Sequence, residues 1–323
     1  MHVLRNEDLQ LIERLVSLTQ GELHKTMAVY LKSKYKDVII TKDYIVAIGD
    51  IPIALVAHLD TVFKYPVTNL YYDQRKNVLW SSEGLGADDR AGVFAILQII
   101  KSGLRPSVIF TTDEEKGGQG AAALASKECP IPNLKYIIQL DRRGTNDCVF
   151  YDCYCPEFTQ YIESFGFVER FGSFSDISFL CPQWKICGVN LSVGYENEHS
   201  VSETLWLNAL YSTINKVKKM LQVKKIPTFI YDDLTAYPYS KFSYIGGTYD
   251  DYGAHCAGCK KLFSEYELIP TKGANGKVLY FCPDCVVEHV DWCQWCGEPY
   301  EITPNSLKHV CPDCAERQGE KKE

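Results

Sequence analysis

His58 and Asp60, in Ala57-His58-Leu59-Asp60-Thr61, stand where the apolar run Ile51-Pro52-Ile53-Ala54-Leu55-Val56 gives way to polar residues. Imidazole and carboxylate are metal ligands and proton carriers, and the two-residue period of a strand lets both face one way. Alone, such a histidine reads as a hydrogen-bonded structural residue. Four more segments change that reading. Asp88 and Asp89 lie in Gly84-Leu85-Gly86-Ala87-Asp88-Asp89-Arg90-Ala91-Gly92, and Glu114 and Glu115 lie in Asp113-Glu114-Glu115-Lys116-Gly117-Gly118. Asp141 follows Leu134–Leu140, and His199 lies in Glu196-Asn197-Glu198-His199-Ser200. Adjacent carboxylates at a helix start would repel a phosphate, so the glycines do not suggest a phosphate cradle; the pair suits a metal, or a cap on the helix. Two His, two Asp and one Glu form a set suited to Zn²⁺, with Mn²⁺ or Co²⁺ as replacements. A single catalytic zinc takes three protein ligands and keeps a position open, so this set is large enough for two ions sharing a carboxylate. Such a pair polarises a carbonyl and generates hydroxide at neutral pH, and the remaining glutamate would carry the proton.

Each segment follows an apolar run or begins a helix, as in an α/β fold whose mostly parallel central sheet is flanked by helices. Asn6–Leu18 and Glu22–Leu31 read as two packing helices or one broken near Gly21, and Val38–Ile48 reads as a hairpin that leads through Asp50-Ile51-Pro52 into the sheet. A helix is expected from about Ala91 to Lys101, strands at Pro106–Thr112, Leu134–Leu140 and Ile186–Val193, and a helix near Pro156–Phe165. Ser200-Val201-Ser202-Glu203 fits a capping box for a long final helix, which would place His199 just before it.

In order and spacing, the Ala-His58-Leu-Asp60-Thr, Gly-Ala-Asp88-Asp89-Arg-Ala-Gly, Thr-Asp-Glu114-Glu115-Lys-Gly, Leu-Asp141 and Glu-His199-Ser segments resemble the five motifs of the co-catalytic zinc peptidases. That clan contains bacterial leucyl-type aminopeptidases, tripeptidases and glutamate carboxypeptidases. The resemblance spans about residues 50–205. It implies that Asp88 bridges two metals, that His58 and Asp141 complete one site and Glu115 and His199 the other, and that Glu114 is the general base and later acid. It also implies that Asp60 orients His58 and that the Asp88-Asp89 peptide is cis. Only 57 residues separate Asp141 from His199, too few for the lid domain of carboxypeptidase-type members. Ser175-Asp176-Ile177-Ser178-Phe179 resembles the Ser-Asp-x-x-Phe segment of the lidless aminopeptidase branch, although it also reads as a helix start. Tyr195 as an oxyanion donor, and Arg142 or Arg143 as a carboxylate holder, are candidate substrate contacts that read equally as packing or surface residues.

The 323 residues carry 34 basic and 41 acidic side chains, net -7, which gives no electrostatic support for general nucleic-acid binding. The first ten residues hold no signal-peptide core and no run approaches the ~20 apolar residues of a membrane span, so a cytoplasmic protein is expected. Of 14 cysteines, eight form the pairs Cys256–Cys259, Cys282–Cys285, Cys293–Cys296 and Cys311–Cys314. Two pairs close one tetrahedral Cys₄ zinc site, so two structural zinc ions are expected, paired either sequentially as in tandem zinc ribbons or as a cross-brace. Cys129, Cys148, Cys153, Cys155, Cys181 and Cys187 read as buried thiols.

The expected organisation is a di-zinc peptidase-like domain over 1-225, a linker over 226-253 and a double Cys₄ module over 254-323. From Ala254 onward there are 8 basic and 11 acidic residues, which favours a protein partner, substrate recognition or stabilisation over nucleic acid. The resulting reading is a metallopeptidase of aminopeptidase type, in which a metal-bridging hydroxide attacks the peptide carbonyl and Glu114 is the base. The rivals are a di-zinc amidohydrolase acting on an N-acyl or other non-peptide amide, and a non-catalytic binding protein that uses the zinc module.

Overall fold

The computed structural model describes residues 5–231, apart from 152, 154, 171 and 173, and then 254–263, 268–273, 278–304, 306, 309–312, 314 and 315. The chain divides into two units, Met1–Ala236 and Tyr237–Glu323.

The first unit opens with α1 (Asn6–Val16) and α2 (Gln20–Lys34). The two helices are separate, and the break falls at Ser17–Thr19, just before Gly21, which lies in the first turn of α2. The Thr19 hydroxyl accepts from the Glu22 N–H at 3.3 Å, and the Glu22 carboxylate accepts from the Thr19 N–H at 3.0 Å, a reciprocal cap that ends one helix and starts the next. A hairpin of β1 (Asp37–Ile40) and β2 (Tyr44–Ile48) follows, then β3 (Ile51–His58). The turn at Asp50 does not pair β2 with β3: strand Pro106–Thr111 lies between them, hydrogen-bonded to both.

Next come β4 (Tyr71–Asp73), β5 (Val78–Trp80), α3 (Ala87–Lys101), β6 (Pro106–Thr111), α4 (Gln119–Ala125) and β7 (Tyr136–Arg142). They are followed by β8 (Asp147–Val149), α5 (Pro156–Glu163), β9 (Val168–Glu169), α6 (Ile177–Trp184) and β10 (Gly188–Ser192). The unit's last elements are β11 (Tyr195–Glu196), β12 (Thr204–Trp206) and α7 (Leu207–Leu221). The fold is thus α/β with a mostly parallel sheet flanked by helices. Eight strands form the sheet in the order β1-β2-β6-β3-β7-β10-β8-β9, with β6, β3, β7 and β10 parallel at its centre. Ile53, Leu55 and Ala57 of β3 enter the core shared with α1, α2, α3 and α7, while Ala54 and Val56 enter that shared with α4 and α6. All five are fully buried, which is why the run shows no alternation of polar residues.

A second sheet, in the order β11-β12-β5-β4, decides the His199 region. Thr204–Trp206 pairs antiparallel with Val78–Trp80, so these residues are extended and α7 begins only at Leu207. The expected capping box at Ser200–Glu203 is therefore absent. Strand pairing to β5 outweighs the local helix-start pattern, and Glu203 bonds to a distant loop instead. After α7 the chain still lies along this unit. The Phe229 ring meets Phe158, Tyr161 and Tyr136 at centroid distances of 4.9, 5.4 and 5.9 Å. The part of the expected linker from 232 to 253 lies outside the described residues.

The second unit contains the pair β13 (Ala254–His255) and β14 (Leu262–Phe263), then β15 (Ile269–Lys272), β16 (Val278–Phe281), α8 (Pro283–His289), β17 (Val290–Trp292) and β18 (Pro299–Glu301). The last four strands form a sheet ordered β16-β15-β18-β17. Its apolar clusters are small and each includes paired cysteines: Cys256 and Cys282 with Leu268, Phe281, Val286 and Val290, and Cys293 and Cys311 with Tyr300. Among the described residues no helix is long and apolar enough to cross a membrane.

Candidate metal centre

The parallel strands end on one edge of the sheet, and the predicted residues meet there. His58 is the last residue of β3 and is 1% exposed. Its Nε2 lies 3.0 Å from Asp88 Oδ1 and 3.5 Å from Asp141 Oδ1. His199 Nε2 lies 3.1 Å from Asp88 Oδ2 and 3.1 Å from Glu115 Oε2. Two donor sets result, His58/Asp88/Asp141 and Asp88/Glu115/His199, and Asp88 contributes one carboxylate oxygen to each. Donors to one tetrahedral ion at 2.0–2.1 Å must stand about 3.3 Å apart, so both sets fit a metal. Glu115 Oε1 is buried with no hydrogen-bond partner, as suits a carboxylate with coordination left to satisfy.

Neighbouring structure fixes each donor. The Asp88-Asp89 peptide is cis. Asp89, which joins neither donor set, turns away to accept from the N–H groups of His58 at 3.2 Å and Gly92 at 2.9 Å. It therefore caps the regular part of α3, the structural alternative for one of the two aspartates. Gly92 is required by close approach: a Cβ there would stand 2.0 Å from the Leu140 carbonyl oxygen on β7. Asp60 Oδ1 lies 3.3 Å from His58 Nδ1, and the Asp60 carboxylate accepts from the N–H groups of Glu114 at 3.1 Å and Glu115 at 3.0 Å. Asp141 accepts from the Tyr195 hydroxyl at 3.1 Å, the Ser175 hydroxyl at 3.2 Å and the Gln139 amide at 3.0 Å, and its own N–H donates to Asn190 at 3.0 Å.

Like charges crowded out of water set the electrostatics. Burial, helped by Asp141, Asp176 and Asp88 and opposed by His58, pushes Glu114 up to about 9. Burial and Asp88 likewise push Glu115 up to about 7, and Asp141 reaches about 7 for the same reasons. Asp88 goes the other way: burial would raise it, but His199 and His58 outweigh that and hold it well below the usual carboxylate range. A hydrogen bond to Asp88 lifts His199 to about 9, against burial and with help from Glu115. Dense negative charge around two imidazoles is the field a divalent cation would occupy.

The candidate substrate contacts fare differently. Tyr195 is buried and its hydroxyl is committed to Asp141, so it orients that side chain rather than an oxyanion. Arg143 donates to Glu198 at 3.1 Å and links the end of β7, which carries Asp141, to the loop carrying His199. Ser175 and Asp176 carry both readings of their segment, since helix α6 starts at Ile177 while Ser175 supports Asp141 and Thr111 donates to buried Asp176. Sequence reasoning missed Gln139, Asn190 and Glu203. Gln139 was legible as a polar residue two before Asp141 on an otherwise apolar strand; the others become partners only through β10 and the second sheet.

In the second unit, Cys256, Cys259, Cys282 and Cys285 form one set and Cys293, Cys296, Cys311 and Cys314 another, so the pairs group sequentially and not as a cross-brace. Cys259 and Cys282 sulfurs are 3.9 Å apart and those of Cys296 and Cys311 are 3.6 Å apart, against about 3.8 Å for two thiolates on a tetrahedral zinc. Burial opposes ionisation of Cys256 and Cys293, but backbone N–H groups at each turn bring both down to about 6. Of the other six cysteines, Cys129 is half-buried and the rest are buried.

Residues 45–163 match the profile of peptidase family M28. Among solved structures, the fold is similar to a tripeptidase from Staphylococcus aureus subsp. aureus Mu50, at 13% identity over 69% of this chain and 99% of that one, with a TM-score of 0.56. It is also similar to a TET aminopeptidase from a marine sediment archaeon of the Thaumarchaeota, at 13% identity over 69% and 98% with a TM-score of 0.55. An aminopeptidase from Bacillus cereus ATCC 10987 aligns at 15% identity over 66% and 95% with a TM-score of 0.51. No curated protein matches. The family match ends before His199 and Glu203, so the geometry above stands alone for those two.

Proposed function

We propose that this chain, aminopeptidase-like in fold and matching peptidase family M28 over residues 45–163, is a metal-dependent peptidase, of aminopeptidase type, with two catalytic ions. The observation that carries the reading is Asp88, which offers one oxygen to each of two donor sets beside a glutamate that belongs to neither. His58 and Asp141 would complete one position and Glu115 and His199 the other. Zn²⁺ suits the nitrogen and oxygen donors, with Mn²⁺ or Co²⁺ as replacements. When bound, such a pair supplies Lewis-acid polarisation of the peptide carbonyl and lowers the pKa of water.

The chain's own residues do the rest. Glu114, left out of both donor sets and with its backbone held by Asp60, takes the proton of the attacking water and returns it to the leaving amine. Asp60 holds the backbone of Glu114 and Glu115 and faces His58, so one side chain sets the base and a ligand of each ion. Tyr195, Ser175 and Gln139 fix Asp141 in the same way.

The test is mass spectrometry of a mixed peptide library incubated with the protein, beside a chelated sample. Stepwise loss of N-terminal residues that stops on chelation is expected. Trimming from the C-terminus would overturn the aminopeptidase assignment alone, and no cleavage by metal-loaded protein would overturn the peptidase reading. The two Cys₄ sets would each hold a structural zinc, and small clusters with little other core make that unit's folding depend on its metal. Cys282→Ser is expected to unfold the second unit and to free its zinc, read by metal content and by loss of amide-exchange protection confined to that unit.

A further inference from the structure

Glu203 is a carboxylate with 0% exposure and no counter-ion at hydrogen-bond distance among the described residues. Its two oxygens divide between two backbone donors where the loop enters α3: Oε2 accepts from the Gly86 N–H at 2.6 Å and Oε1 from the Asp88 N–H at 3.0 Å. Burying a carboxylate is costly unless its acceptor capacity is used, and a neutral side chain would fill the space at lower cost. The location gives this carboxylate a use. Glu203 sits four residues after His199, immediately before β12, and the β5·β12 ladder ends at Thr204 opposite Trp80. From Ser81 to Gly86 the loop has left that ladder, and Glu203 is what reaches across to it and to the first turn of α3. At its near end the loop turns through Gly86 at φ +63°, where a Cβ would crowd Thr61 at 3.1 Å. Asp88 follows two residues later. The Asp88 backbone is thus held by the segment that carries His199, whose side chain is half exposed and whose backbone lies at φ +61°.

We propose that Glu203 is a positioning residue that fixes the separation of Asp88 and His199, and with it the affinity of the Asp88/Glu115/His199 position for its metal. This rests on the di-metal reading above. Two of the three donors of the His58/Asp88/Asp141 position, His58 and Asp141, are held by β3 and β7 of the large sheet, so that position keeps most of its geometry without Glu203, whereas His199 lies only four residues before Glu203. Loss of the tether therefore separates the two positions.

Mn²⁺ is the probe, because it prefers oxygen and nitrogen donors and leaves zinc-filled thiolate sites alone. Full-length protein is stripped of loosely held metal with a mild chelator and titrated with Mn²⁺, bound ions being counted by the loss of the free-ion paramagnetic resonance signal. Wild type is expected to bind two ions and to show the spin coupling of a close pair. Glu203→Gln keeps the volume, turns an amide NH₂ toward one of the two N–H donors, and is expected to keep one ion and bind the second 10–100-fold more weakly, without coupling. His199→Ala should lose the same ion. Equal weakening of both ions, or no change, overturns the role of Glu203. If Glu203→Gln does not fold, Glu203→Asp is read instead, which keeps the charge with one methylene less reach and is held to the same selective loss. A wild type that binds no Mn²⁺, or one ion unaffected by His199→Ala, overturns the di-metal reading itself.

Discussion

Glu114→Gln is expected to lower kcat by about 10²–10⁴-fold while KM and the number of bound metal ions stay near wild type. The asymmetry follows from placement. Glu114 belongs to neither donor set, whereas its neighbour Glu115 lies 3.1 Å from His199 Nε2. The Glu114 backbone is fixed by Asp60, and that hydrogen bond survives the substitution. The amide is close in shape but cannot accept a proton from water or return one to an amine. Steady-state kinetics on a peptide substrate and metal analysis of the same samples check both halves. Loss of metal together with activity would make Glu114 a ligand, and unchanged kcat would remove it from the reaction.

Asp88→Ala is expected to abolish binding of both catalytic ions at once, where Asp141→Ala or His199→Ala removes one. One oxygen of Asp88 faces His58 and the other faces His199, so a single truncation breaks both sets. The remaining carboxylates are left without the shared ligand that would let two ions sit close together. Binding of two ions to the folded state stabilises it by RT ln(1 + [L]/Kd) each, about 2.7 kcal/mol per ion at a hundredfold excess over Kd. Added Mn²⁺ should therefore raise the melting temperature of wild type and leave that of Asp88→Ala unmoved. An Asp88→Ala protein that still binds one ion tightly would show that the two positions do not share this residue.

Much of the candidate metal centre was legible in the chain because several of its proposed donors follow strongly apolar runs. A strand buried on both faces must be continuously apolar, so the first polar residues after it mark the sheet edge, and His58, Asp60 and Asp141 are read off in that way. Four Cys-x-x-Cys pairs likewise declare themselves, since a tight turn holding two thiolates is local; only their sequential grouping depends on the tertiary structure. Where sequence reasoning failed, a long-range partner overrode a local signal. Ser200–Glu203 has the composition of a capping box, yet pairing of Thr204–Trp206 with Val78–Trp80 draws the chain out straight and leaves Glu203 to bond with Gly86 and Asp88. Tyr195 shows the same limit: a phenol beside the site could face substrate or protein, and only the position of Asp141 decided for protein. The sequence by itself determined the α/β class, the clusters of candidate donors and the paired-cysteine module, because these depend on periodicity and spacing within short segments; the choice of Asp88 over Asp89 and of Glu115 over Glu114 came from the family resemblance. The tertiary structure alone decided which oxygen of Asp88 meets which histidine and what holds the loops carrying them. The contact of Asp88 with His58 spans 30 positions, and those of Asp88 with His199 and of Glu203 with Gly86 and Asp88 span more than a hundred, so none leaves a local pattern.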